Sequence, residues 1–441
     1  MSKIDTQKAI SKDRFDNIFF MKEKKVELLS PAGNFEKLKI ALAYGADAVY
    51  GGVSHFSLRI RSSKEFSYES FKDAIDYTHS LGKKIYVTIN GFPFNNQLKL
   101  VAKHIEKIAD MNPDALIVST PGVIKLASQI APKIDLHLST QANVLNYLDA
   151  EVYHDMGVKR IIAAREISLH DMIEIKKHLP SLELEVFVHG SMCFAYSGRC
   201  LISSLQSGRV ANRGSCANDC RFDYTLYAKN EESGVLMKIE EDESGTYIMN
   251  AKDLNLSYHV DKILQSSVID SLKIEGRTKS AYYVAMSTKT YKEAIDDFYD
   301  DKFDPAKYEK ALNSIKNRGF SDAYLFQRPH ERYDTQNLDT AMSGSDKEIA
   351  GIVCEDKEHF LCKYKIYPDD EIELITPDDK ELCEVNNEIG KIYKKDDNWY
   401  LKLYKIVTKS HKELESVHSG NTNPIKLPML LPAFSLLRKD I

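Results

Sequence analysis

The stretch Leu182-Glu-Leu-Glu-Val-Phe-Val-His-Gly190 (182–190), followed after a long gap by Asp270-Ser-Leu-Lys-Ile-Glu-Gly276 (270–276), decides how this chain is read. Each is a short apolar run bounded by glycine, as a buried parallel strand is. Working outward, six more runs of the same kind precede them: KVELLS (25–30), DAVYGG (47–52), KKIYVTIN (83–90), DALIVS (114–119), IDLHLST (134–140) and VKRIIAA (158–164). Helix-like segments such as NFEKLKIALAYG and SYESFKDAIDYTHSLG lie between them. Alternation of this kind implies right-handed βαβ units and a parallel sheet. Eight units predict an α/β fold, a (β/α)8 TIM-like barrel. A doubly wound open sheet gives the same string and stays open as the alternative.

The gap between the seventh and eighth runs, 191–269, is too long for a simple βα loop. It contains a further strand-like run, TYIMN (246–250), and a charged stretch that reads as a solvated hairpin. In a barrel it would leave from the C-terminal ends of the strands, the face on which active sites are built. The expected organisation is an N-terminal extension over 1–24, a barrel domain over 25–335 carrying this Cys-rich insertion, and a C-terminal module over 345–437. That module changes texture to closely spaced strands without helices: EIAGIVCED, HFLCKYKI, DEIELITPDD, EIGKIYKK and NWYLKLYK. A small all-β barrel or sandwich is predicted there.

Composition narrows the function classes. Hydrophobic residues at 43% and charged residues at 28% are those of a globular protein with ample core. No run approaches the roughly 18 apolar residues that span a bilayer, and the polar N-terminus is no secretory signal, so no membrane association and a cytoplasmic location are expected. With 60 basic and 65 acidic side chains the net charge is −5, which argues against a bulk basic nucleic-acid binder but not against a local basic groove.

Four of the seven cysteines fall together, as Cys193-x6-Cys200-x15-Cys216-x3-Cys220. Four thiolates can hold an iron–sulfur cluster or a structural zinc, although the two-residue gaps usual in zinc knuckles are absent. Gly190, Gly198, Gly208 and Gly214 permit the turns that wrap a cluster, and Arg199, Arg213 and Arg221 could offset its charge. Four separate buried thiols are the plainer alternative.

The run Glu185-Val-Phe187-Val-His189-Gly190-Ser191-Met-Cys193-Phe-Ala-Tyr-Ser-Gly198-Arg199-Cys200-Leu-Ile-Ser203 resembles the defining motif of the U32 peptidase (collagenase-like) family. The stretches ELLSPAGNFEKLKIALAYGADAVYGG, NRGSCANDCRFDY, GTYIMNAKDL and SLKIEGRTKSAYYVA are similar to the same family, especially its tRNA-hydroxylation branch. The resemblance implies prephenate-dependent, oxygen-independent formation of 5-hydroxyuridine at the tRNA wobble position, with a [4Fe–4S] cluster on Cys193, Cys200, Cys216 and Cys220. Some relatives place a ligand just after the Lys252-Asp253-Leu254 motif, where this chain has Asn255. The family name raises a rival, proteolysis by Cys193 or Ser191 with His189 as base. A third reading is an iron–sulfur or zinc RNA-binding assembly factor without catalysis.

Strand ends supply the other candidates. His189, Glu275, Arg277 and Arg165 are expected as catalytic groups, and an arginine there suits a small dicarboxylate such as prephenate. Asn90 and Gln141, also at strand ends, are expected to contact substrate. Arg59, Arg61 and Lys64, in a basic loop after the second run, are expected to grip tRNA phosphates, with Phe56 or Phe66 stacking on a base. Self-association or a related partner protein is left open.

Overall fold

The structure, a computed structural model, describes residues 25–53, 66–193, 195–196, 200, 202–207, 216–221, 226–229, 231–232, 234, 236–239, 251–327, 335, 347–378 and 382–440. Seven of the apolar runs form β1 (Glu27–Pro31), β2 (Ala48–Gly51), β3 (Lys84–Ile89), β4 (Ala115–Val118), β5 (Asp135–Leu138), β6 (Val158–Ile162) and β7 (Glu183–Ser191). Between them lie α1 (Phe35–Ala43), α2 (Tyr68–Ser80), α3 (Leu98–Ala109), α4 (Pro121–Ile130), α5 (Tyr147–Asp155) and α6 (Leu169–His178). The insertion carries α7 (Ile202–Ser207), the hairpin strands β8 (Leu226–Lys229) and β9 (Leu236–Ile239), the short β10 (Asp253–Asn255) and α8 (Val260–Gln265). The eighth run is β11 (Ser271–Ile274), followed by α9 (Ala281–Tyr299), α10 (Pro305–Asn313) and β12 (Phe320–Ser321).

β11 decides between the two folds. It pairs in parallel with β7, Ser271 opposite Glu185, and in parallel with β1, Ser271 opposite Glu27. A strand bonded to both ends of the series closes it, so the sheet is an eight-stranded parallel barrel and the open-sheet alternative is excluded. Helices surround it, and their entries are capped by side chains: Asn34, Ser67, Thr120, Asn146, Ser168 and Ser280 each accept a backbone N–H of the first turn. These N-termini follow βα loops and therefore gather on the mouth side of the barrel.

Alternation along the strands sends every second side chain inward. Many of those inward residues are polar. In the lower half Arg160 bonds Glu27 at 2.5 Å, Glu183 at 2.7 Å and Glu185 at 3.3 Å, and Lys273 bonds Glu185 at 2.8 Å. Tyr86 donates its hydroxyl to Glu27 at 2.6 Å and stacks edge-on against His137. Burial works against the Arg160 charge, but Glu27 and Glu185 outweigh it and raise its pKa. The same pairing overcomes burial at Glu27 and holds its carboxyl below the usual value.

β7 breaks this alternation near its end. Lys273 pairs with Phe187 and Ile274 with His189, so Val188 is an extra residue, a bulge. Beyond it, Ser191, Gly190 and His189 pair antiparallel with Asp253, Leu254 and Asn255 of β10, and β10 pairs with β12. The sheet thus overhangs the barrel where the insertion leaves. Gly190 makes the turn possible, with φ at +119°, and a Cβ there would stand 2.4 Å from the Glu275 carbonyl oxygen. Gly190→Ala is expected to cost about 1–3 kcal/mol, through the left-handed backbone and the clash together, read from the urea midpoint.

The C-terminal module has β13 (Lys347–Val353), β14 (His359–Cys362), β15 (Glu371–Ile375), β16 (Val385–Asn386), β17 (Gly390–Lys395), β18 (Asn398–Leu403), β19 (Ile406–Val407), β20 (Glu413–Leu414), β21 (Ile425–Lys426) and β22 (Leu436–Asp440). Eight of these form an antiparallel sheet, ordered β16-β17-β18-β15-β22-β13-β14-β21, that curves into a half-barrel over its own apolar core. β22 lies at the centre of this sheet and ties the module to the barrel. Its Arg438 forks onto Glu373, at 2.8 and 2.7 Å, and reaches the Tyr282 hydroxyl of α9 at 2.9 Å. Tyr44, at the end of α1, donates to the Ile375 carbonyl at 2.7 Å.

Candidate active site at the barrel mouth

Above the charged lower layer, the inward residues converge on the mouth. Arg277 is almost fully buried, and its Nη1 donates to Thr88 Oγ1 at 2.9 Å. Because β1 and β2 separate β11 from β3, this side chain crosses the opening. Glu275 stands beside it, half-buried, its Oε2 accepting the Tyr50 hydroxyl at 3.1 Å. The Lys273 ammonium lies 4.3 Å from the centre of the Tyr50 ring, so the charged layer below runs on into the mouth. Arg165 lies across the Phe187 ring at 4.0 Å.

The opposite wall is a set of amides and hydroxyls. Ser119 Oγ lies 3.0 Å from the Asn90 backbone oxygen and 2.9 Å from Gln141 Oε1. Asn90 Nδ2 faces Ser139 Oγ at 3.5 Å. The expected residues Arg277, Glu275, Arg165, Asn90 and Gln141 are thus brought to one end of the barrel. Thr88, Ser119, Ser139 and Tyr50 were missed; their signal was the polar side chain at every second position of otherwise apolar strands.

His189 is placed elsewhere. The bulge turns its ring to the outer layer, with ring centres 5.5 Å from Tyr283, 5.6 Å from Tyr291 and 5.6 Å from Phe320. Neither ring nitrogen has a partner, and burial pushes its pKa down to about 3. A histidine depressed on folding stabilises the protein fully above its unfolded pKa of about 6.5 and loses that contribution as pH falls toward the folded value. His189→Phe is therefore expected to flatten the loss of thermal stability between about pH 6.5 and pH 3. An unchanged acid limb in calorimetry would assign that loss to other groups. Asn255, fully buried beside it on β10, accepts from the Ser257 N–H at 3.0 Å and the Tyr291 hydroxyl at 3.1 Å.

None of the four clustered cysteines forms a disulfide; Cys193 is exposed and Cys200, Cys216 and Cys220 are half-buried. Cys193 follows the end of β7, and Cys220 sits in a short 3-10 turn, Asp219–Arg221. The Cys216 sulfur accepts the Asn218 backbone N–H at 3.4 Å and faces the Ser203 hydroxyl at 3.8 Å. The donor chemistry fits a cluster, while among the described residues no three His, Cys, Asp or Glu side chains stand together as a metal shell. Arg199, Arg213, Arg59, Arg61, Lys64, Phe56 and the run 246–250 lie outside the described residues. Phe66, expected as a stacking surface, is instead buried edge-on against Phe71, because the core beneath α2 takes the ring.

The model of peptidase family U32 matches residues 33–335. The chain belongs to this family. Within it, a "tRNA hydroxylation protein P" from Helicobacter pylori is 61% identical over 417 residues, covering 94% of this chain and 99% of that one. A protein of the same name from Escherichia coli is 38% identical over 397 residues, 80% of this chain and 86% of that one. A "23S rRNA 5-hydroxycytidine C2501 synthase" from Escherichia coli is 34% identical over 283 residues, 64% of this chain and 41% of that one. No helix among the described residues is long and apolar enough to cross a membrane.

Proposed function

We propose that this U32 chain is a tRNA hydroxylase, converting the wobble uridine to 5-hydroxyuridine in the cytoplasm with prephenate as cosubstrate and without molecular oxygen. The observation that carries this reading is the 61% identity, over nearly the whole length of both chains, with a relative named for tRNA hydroxylation. Cys193, Cys200, Cys216 and Cys220 would hold a [4Fe–4S] cluster. When bound, such a cluster supplies an iron site able to polarise an oxygen-donating cosubstrate.

The chain's own residues have separable tasks. Arg277 and Arg165 provide guanidinium groups for a dicarboxylate, which binds such forks in bidentate fashion. Glu275, oriented by the Tyr50 hydroxyl, can take or return a proton at the rim. The flipped base enters from above, where a loop nucleotide is free of pairing. Proteolysis is less well supported: His189 is the base that reading needs, and it has no hydrogen-bonded nucleophile or carboxylate.

Prephenate dependence separates this reading from other RNA chemistry. Cells that express the chain but cannot make prephenate should lack tRNA 5-hydroxyuridine derivatives by mass spectrometry, and supplied prephenate should restore them. Undiminished nucleosides in the blocked cells would remove prephenate from the account.

A further inference from the structure

We propose that Asn90 reads the imino edge of a uracil base in the barrel mouth, its Oδ1 accepting the N3–H proton; this rests on the tRNA uridine hydroxylation proposed above. Asn90 follows β3 on the same inward face as Tyr86 and Thr88 and is only 8% exposed. Its backbone oxygen is held by Ser119 and its amide nitrogen faces Ser139, while its Oδ1 is buried without a hydrogen-bond partner. A buried amide oxygen left in that state is costly and awaits a donor.

The chemistry of the mouth selects that donor. A carboxylate offers only acceptors and is drawn instead to Arg277, whose guanidinium is anchored at Thr88, one inward position deeper on the same strand. Uracil carries a neutral N–H donor at N3. Cytosine carries a lone pair there, which would oppose the Asn90 oxygen. A mouth that separates an anionic cosubstrate from a neutral imide needs this division between guanidinium and amide oxygen.

Strand order supplies a second argument. In the closed order β11-β1-β2-β3-β4-β5-β6-β7, the strands β3 and β7 stand on opposite walls. A uracil with its N3 side on β3 turns its C5–C6 edge toward the β7 wall. That wall runs directly into Cys193. The carbon to be hydroxylated would therefore face the thiol-bearing insertion.

The test uses the anaerobically purified full chain and fluorescent anticodon stem-loops carrying uridine, cytidine or 3-methyluridine at the target position. The wild-type chain should bind the uridine loop about tenfold more tightly than the other two. Asn90→Ala should bind all three alike, at the weaker level, whereas Asn90→Asp keeps an acceptor and should keep the uridine preference. Equal binding of uridine and 3-methyluridine by the wild-type chain overturns the inference without touching tRNA hydroxylation. Persistence of the preference in Asn90→Ala does the same. No binding to any loop overturns the function reading and this inference with it.

Discussion

Arg160→Met should destabilise the barrel by about 3–5 kcal/mol at neutral pH, the largest stability effect expected of any single side chain here. Arg160 is 3% exposed and serves three carboxylates at once, Glu27, Glu183 and Glu185. Removing it leaves Glu185 with Lys273 alone and Glu27 with only hydroxyl donors, Tyr86 and Ser271. The pH dependence follows from Glu27. Its folded pKa lies below the ordinary 4.5, so its stabilisation is present above that value and fades as pH falls through the folded one. The variant lacks the pairing that lowers this pKa, so the gap between wild type and variant in urea midpoint should narrow in acid. A constant gap from neutral pH to pH 4 would mean that the carboxylates do not depend on Arg160.

Replacing Cys193, Cys200 or Cys216 by serine is expected to remove bound iron and abolish tRNA hydroxylation while leaving the barrel folded. The wild-type chain purified without air should be brown and carry about four irons. Cys220→Ser is the most informative of the set, because the sequence resemblance left Asn255 as the rival position for the fourth ligand. The Asn255 oxygen already accepts from the Tyr291 hydroxyl and the Ser257 N–H, so Cys220 is the residue we propose as the fourth ligand. Full iron and activity in Cys220→Ser would give the cluster three cysteine ligands only, and colourless zinc-containing wild-type protein would end the cluster assignment.

Much of the barrel was legible because its strands are buried on both faces and therefore read as short, mainly apolar runs between helices. Eight βα units predicted a barrel, but only the pairing of β11 with β1, between segments more than two hundred residues apart, excluded the open sheet. β10 and β12 are too short to leave a periodic signal, and β22 is a single run at the very end of the chain. The mouth was half legible. Strand-end position pointed to Arg277, Glu275, Asn90 and Gln141, whereas the bulge at Val188 that carries His189 into the outer layer has no local signature. The polar interior was present in the sequence as Tyr86, Thr88 and Asn90 on alternate positions, hidden among the apolar residues between them.

The central claim is tested most directly by deleting the gene and measuring tRNA nucleosides by mass spectrometry, with and without the wild-type chain restored. 5-Hydroxyuridine derivatives should vanish on deletion and return with the wild-type chain. Unchanged nucleosides on deletion, together with cleavage of a collagen-like peptide by the purified protein, would contradict it.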